Sequence, residues 1–254
     1  MASSERFGFE WDKYSAIDQN YEKQFLNWTH PLDSKFFKDK KVLDAGCGMG
    51  RNSFWSLSWG ASRVVSFDFD QRSVEAAKKN LDQFDNSEIL FKSVYELDWH
   101  EEFDLAFSIG VIHHLKDPKL AIKNLFRAVK PGGRLLIWVY SYHGNEWIVK
   151  FVNPIRKAIT SKLPVRLVHW LSYFCSVPLW LFVKIFKGPS DYLKQLSTFK
   201  FWHIHSIVFD QLIPEVAHYW TKEEVASLFA GLDVSKLDIH QPPNHCGWIA
   251  IARK

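Results

Sequence analysis

Residues 41–51, Lys-Val-Leu-Asp-Ala-Gly-Cys-Gly-Met-Gly-Arg, put a carboxylate just ahead of three closely spaced glycines. Val42 and Leu43 read as a short buried strand that stops at Asp44 and enters Gly46-x-Gly48-x-Gly50. Glycines at such a turn let the backbone bend tightly and let a ligand approach where a Cβ would collide. A carboxylate beside them suits a ligand with a positive amino group. The spacing separates the nucleotide ligands. A dinucleotide fingerprint needs Gly-x-Gly-x-x-Gly, but position 51 is Arg and the third glycine comes one residue early. A P-loop needs Gly-Lys-Ser/Thr, which is absent.

Further signals follow in order. Arg63-Val64-Val65-Ser66-Phe67 reads as a second buried strand ending at Asp68, about 20 residues past the glycines, where a ribose would sit. Asp70 competes with it for that role two residues on. Ser73-x-x-x-Ala77 opens a helix with Ser73 as its expected cap. Ile89-Leu90-Phe91 is a third strand, followed by Ser93 and Val94. Residues 103–115 supply a fourth strand and a loop ending in His113-His114-Leu115. Pro131-Gly132-Gly133 turns into a fifth strand at Arg134-Leu135-Leu136-Ile137.

Taken together over residues 40–140, these motifs resemble those of the class I S-adenosylmethionine (SAM)-dependent methyltransferases. The resemblance implies SAM as cofactor and a Rossmann-like seven-stranded α/β sheet in the order 3-2-1-4-5-7-6, with strand seven reversed. It implies a cofactor site built from Asp44, Gly46, Gly48, Gly50, Asp68, Phe69, Ser93, Val94, Ser108 and Ile109. Asp68 would hold both ribose hydroxyls. Many relatives carry Asp where Ser93 stands, to bond the adenine amine.

The chain has 254 residues, 47% of them hydrophobic, and a net charge of +4, small for a nucleic-acid binder. Its three cysteines have no metal-type spacing. Cys175 and Cys246 are expected to be buried thiols, and Met-Ala-Ser-Ser-Glu-Arg lacks the apolar core of a secretory signal. The expected setting is therefore reducing and cytoplasmic.

Aromatic residues make up 16% of the chain, and charge is uneven. Residues 141–205 hold nine Lys/Arg and only two Asp/Glu, so this stretch is strongly basic while the remainder is acidic. Four regions are expected: an N-terminal helical cap (1–40) containing an aromatic cluster at 7–14, a SAM-binding core (41–140), a helical lid or substrate insertion (141–218), and a closing helix and β-hairpin (219–254). Helices are expected at 146–160, 165–186 and 190–202. The capping box Thr221-x-x-Glu224 opens another through Phe229. Residues 167–186 contain no acid and are barely long enough to span a bilayer. Lys150, Arg156, Lys157, Lys162, Arg166, Lys184 and Lys187 accompany large apolar side chains over 146–187, opposed only by Glu146. That composition suits a peripheral membrane contact; an ordinary apolar lid is the competing reading.

Methyl transfer requires donor and acceptor held close, water excluded and, for many acceptors, a proton removed. Histidine suits the last task. His113 and His114 follow strand four, where the methyl group should emerge; His143 follows strand five; His218 and Tyr219 lie at the end of the lid. No metal is expected. The favoured function is methyl transfer to a small-molecule or lipid- or glycan-linked acceptor, with oxygen the favoured target. A non-catalytic methyltransferase-like subunit and an RNA methyltransferase are the alternatives, although no nucleic acid is favoured as partner.

Overall fold

A computed structural model describes residues 17–186, 191–242 and 247–254. The aromatic cluster at 7–14, Lys187 and Cys246 lie outside the described residues. Seven strands form one sheet in the order β3-β2-β1-β4-β5-β7-β6. These are β1 (Lys41–Ala45), β2 (Arg63–Asp68), β3 (Ser87–Phe91), β4 (Phe103–Ile109), β5 (Val129–Val139), β6 (Lys236–His240) and β7 (Trp248–Arg253). The β1–β2, β2–β3, β1–β4 and β4–β5 pairs are parallel, while β7 runs antiparallel to both neighbours.

The strands are apolar on both faces because helices cover both. On β5, Leu135, Ile137 and Val139 enter one core and Leu136 and Trp138 the other, the period-two alternation of a pleated strand. Helix α1 (Asn20–Thr29) buries Phe25 and Trp28 in the second core. Helices α2 (Arg51–Ser58), α3 (Gln71–Leu81) and α4 (Pro118–Ala128) connect the parallel strands. Asp70, not Ser73, caps α3: its side chain accepts from Arg72 N, whereas Ser73 is buried inside the helix.

Between β5 and β6 lies a helical layer. It holds α5 (Val165–Phe186), α6 (Asp191–Thr198), α7 (Phe201–Leu212) and finally α8 (Lys222–Ser227), which the expected capping box opens. The helix expected at 146–160 is π-helical at Ile148–Val152 and Arg156–Thr160. Pro154 sits between them and has no N–H to give the i→i−4 ladder, so the rod widens on either side. The helix expected at 190–202 is two helices, because the chain turns extended at Lys200 before α7. Cys175 is exposed rather than buried, and lines the cavity from α5.

Candidate active site

The strands β1, β2 and β4 end at one edge of the sheet, where ligands of such sheets bind. There the loop after β1 is latched to β2: Gly46 N and Cys47 N both donate to Phe67 O, at 2.8 and 3.0 Å. Gly48 N donates to Asp68 Oδ2 at 2.9 Å, and Asp70 N to Asp68 Oδ1 at 3.0 Å. The loop thereby fixes the carboxylate of Asp68 at the wall of a cavity of about 1260 Å³.

The three glycines divide their work. Gly46 lines the cavity with φ +76°, and a Cβ there would come within 2.5 Å of Val111 Cγ2. Gly48 presents its N–H to Asp68 and Gly50 lets α2 pack on α3, where a Cβ would meet Leu81 and Ala77 at 3.1–3.2 Å. Neither Gly48 nor Gly50 lines the cavity, contrary to expectation. Gly46→Ala is expected to cost about 1–3 kcal/mol through the left-handed backbone and the clash. Chemical denaturation of this variant alone and with Val111→Ala should show relief of the steric part only.

Asp44 is also off the cavity wall. It is buried behind the turn and accepts from Ser53 Oγ at 2.6 Å. Burial pushes its carboxyl up to about 7, against the lowering effect of the Ser53 bond. Burial likewise pushes Asp68 up to about 6, although the Gly48 and Asp70 N–H groups favour the anion. Among the described residues neither carboxylate has a salt-bridge partner.

Phe69, Ser93, Val94, Ser108 and Ile109 line the cavity as expected. Phe69 is half exposed and stacks on Phe91 with centroids 5.5 Å apart. Ser93 Oγ accepts from Tyr95 N, and Ser108 Oγ donates to Ala45 O at 2.9 Å. Arg51, whose side chain carries no signal in the glycine pattern, lines the cavity with its guanidinium 5.1 Å from both the Tyr21 and Trp28 rings. Two buried carboxyl groups whose ionised form a cation would favour, a half-exposed flat ring and an arginine fit SAM. Asp68 would hold the ribose, Phe69 and Ser93 the adenine side, and Arg51 the carboxylate, while the ligand's positive charge compensates Asp44 and Asp68.

The five candidates for acid–base work separate. His114 and Tyr219 line the cavity; His113, His143 and His218 do not. His113 and His114 sit in one short 3-10 turn (Ile112–His114), their rings edge to face with centroids 4.2 Å apart, and only His114 reaches the cavity. His113 is fully buried and stacked on Tyr140 at 3.7 Å; among the described residues neither ring nitrogen has a hydrogen-bond partner. Burial drives its pKa well below the usual histidine value. His114 Nδ1–H donates to Val216 O at 2.8 Å, which makes Nε2 its basic nitrogen. Burial lowers its pKa to about 4. His143 is solvent-exposed, 3.8 Å from Glu146. His218 stacks on Trp220 and its Nε2 lies 3.3 Å from Leu115 O, a structural position.

Tyr219 belongs to a network the sequence does not announce. Its hydroxyl donates to Gln211 Oε1 at 3.0 Å, while Gln211 Nε2 donates to Tyr140 Oη at 3.2 Å. Gln211 O in turn accepts from Arg156 Nη1 at 3.2 Å. Arg156, expected among the surface cations, is fully buried and also bonds Asn153. Burial raises the Tyr219 pKa, with Arg156 opposing, so the phenol stays protonated. The far wall of the cavity is apolar: Leu179, Leu193, Leu196, Phe199 and Ile207 come from α5, α6 and the α7 region. His203 also lines it, stacked flat on Phe199 at 3.9 Å.

A family model for the methyltransferase domain matches residues 43–137, from inside β1 almost to the end of β5. A tRNA U34 carboxymethyltransferase of Helicobacter pylori is 30% identical over 128 residues, 48% of this chain and 48% of that protein. A mitochondrial ubiquinone biosynthesis O-methyltransferase of Dictyostelium discoideum is 31% identical over 143 residues, 51% of this chain and 43% of its own. The chain thus spans about half the length of the curated relatives it matches. The structure of a 1,6-didemethyltoxoflavin-N1-methyltransferase from Burkholderia thailandensis shares the fold. Its TM-score is 0.56 at 16% identity, with 100% of this chain and 91% of that one covered. Residues 43–137 thus carry a methyltransferase domain, set in a sheet whose order is that of its Rossmann-like structural neighbours.

Proposed function

We propose that the chain transfers a methyl group from SAM to an amphiphilic acceptor, a small molecule or lipid-linked compound, at an oxygen. The observation that carries this reading is the continuity of one cavity. It runs from Asp68 and Phe69, past His114 and Tyr219, to the apolar walls of α5–α7. Small-molecule sites occupy roughly 300–1,000 Å³, so about 1260 Å³ has room for a second ligand beside the cofactor.

Bound SAM supplies an electrophilic methyl group on a sulfonium. The chain's own residues do the rest. Asp68 and Arg51 orient the cofactor, and the apolar lid excludes water and seats the acceptor's body. His114 Nε2 takes the proton from the attacking hydroxyl, while Tyr219, its O–H held by Gln211 Oε1, presents its oxygen lone pairs at the polar end. Holding the two reactants in line supplies most of the rate.

An RNA acceptor is the second reading, favoured by the similarity to the tRNA enzyme's shared half. Against it, the far cavity wall is mainly apolar where a phosphate backbone would call for cations. The test is incubation with methyl-labelled SAM and, separately, total lipid extract, water-soluble metabolites and bulk tRNA. Label extracted into organic solvent supports the proposal. Label confined to RNA overturns the acceptor class, and no binding of SAM by isothermal titration overturns the whole reading.

A further inference from the structure

We infer that the outer face of α5 docks on an anionic membrane surface. From Trp147 through Phe186 thirteen large apolar side chains stand exposed. Those on α5 are Leu167, Trp170, Leu171, Phe174, Val177, Leu181, Phe182, Ile185 and Phe186. At 100° per residue all of them fall on one side of the helix. Trp170 is 69% exposed, Phe174 79% and Ile185 68%. Isolated exposed apolar residues are ordinary, but a continuous stripe of this length marks an interaction surface. A second stripe, Trp147, Phe151, Ile155 and Ile159, repeats every four residues along the rod at 148–160, where the widened π turns keep residues four apart near one line.

The charge around these stripes selects the occupant. Lys150, Lys157, Lys162, Arg166 and Lys184 are exposed, and 147–186 contains no Asp or Glu. Arg166 and Lys184 lie at the same angular border of the α5 face, eighteen residues apart. A core helix would explain the apolar residues but would not leave them in solvent. A contact with a second copy across a two-fold axis sets a surface against itself, so these cations would meet cations with no acid in the stretch to pair them. Anionic lipid headgroups neutralise them, and aromatic and aliphatic side chains enter the interface beneath.

The other face of α5 argues for lying on the membrane rather than crossing it. There Ser176 Oγ lies 2.7 Å from His205 Nδ1, and His205 Nε2 lies 3.3 Å from both His169 Nε2 and Ser172 Oγ. These polar groups are buried between α5 and α7. Spanning would turn them to hydrocarbon, whereas an interfacial helix keeps them on the protein side.

The test is sedimentation of the full chain with two sets of vesicles, phosphatidylcholine alone and phosphatidylcholine mixed with anionic phosphatidylglycerol. Binding to the anionic vesicles at low salt, released at high salt by screening, is the expected result. Lys157→Glu/Lys162→Glu/Arg166→Glu and, separately, Trp170→Ser/Phe174→Ser should each weaken it at least tenfold. Both sets alter exposed residues, and circular dichroism with SAM titration checks that the folded core persists. No sedimentation with either vesicle overturns the inference. So does a lipid-free dimer, seen by analytical ultracentrifugation, that Trp170→Ser/Phe174→Ser dissociates while vesicles leave the wild type in the supernatant. The readout is sedimentation, so it stands or falls independently of which acceptor is methylated.

Discussion

Asp68→Ala is expected to weaken SAM binding at least tenfold in isothermal titration, and the wild-type affinity to rise from pH 5 to pH 8. The carboxylate is held by Gly48 N and Asp70 N, so it is aimed before the ligand arrives. Its removal deletes hydrogen bonds to the ribose, each charge-assisted and worth about 1.5–3 kcal/mol; even one such loss is about tenfold. The pH dependence follows from burial, which raises Asp68 to about 6 and Asp44 to about 7. Between the ordinary carboxylate value near 4 and these raised values, the folded chain holds protons that the unfolded chain has released. The ligand-free protein should therefore lose stability as pH rises through that window. Cationic SAM favours the ionised carboxylates, so its binding should expel protons there. Thermal unfolding with and without SAM should show a gap in Tm that widens toward pH 8. A gap independent of pH, or an Asp68→Ala variant that binds normally, would sink this assignment of the site.

The parts of the molecule that were legible in the sequence are those whose chemistry is local. Gly46, Asp68 and Ser108 stand at the ends of short apolar strands, and in a parallel sheet strand ends converge whatever the helices do. The sheet order was not read from the pattern of strands and helices; the family resemblance implied it, and the structure has that order. The division among Gly46, Gly48 and Gly50 was not legible, because it depends on Val111, Asp68 and α3, which approach from elsewhere in the chain. His113 and His114 are neighbours with the same side chain; a tight 3-10 turn sends one into the core beside Tyr140 and the other to the cavity. Arg156 reads as one more lid cation, yet Gln211 and Asn153, 55 residues away and three residues away, take it inside. Charge counted along a sequence cannot distinguish a buried guanidinium from an exposed one. Arg51 was in view beside the glycines, but its packing over Tyr21 and Trp28 required α1 to fold across the site.

His114→Ala is expected to lower kcat by about 10²–10⁴-fold, the usual contribution of a positioned general base, while SAM still binds. The reason is tautomeric. Val216 O takes the Nδ1 proton, so Nε2 keeps the basic lone pair on a ring that lines the cavity. Burial lowers its pKa to about 4, with the Arg156 and His218 charges adding to that effect and the Val216 bond opposing it. The imidazole must be neutral to accept a proton, and it is neutral above its pKa. At saturating SAM and acceptor, the acid limb of kcat should therefore lie near pH 4, well below the value of about 6.5 for an ordinary histidine. Tyr219→Phe removes one donor, worth about 0.5–1.5 kcal/mol, and should cost about three- to tenfold. His143→Ala, in solvent beside Glu146, should leave kcat unchanged. His218→Ala should lower Tm by removing its stack on Trp220, with kcat of the folded fraction preserved. The order of these effects discriminates between roles. If His114→Ala retains kcat within threefold, the imidazole is a wall rather than a base. Catalysis would then rest on the alignment of the two ligands alone, and an acid limb near pH 6.5 in the wild type would point instead to a histidine outside the cavity.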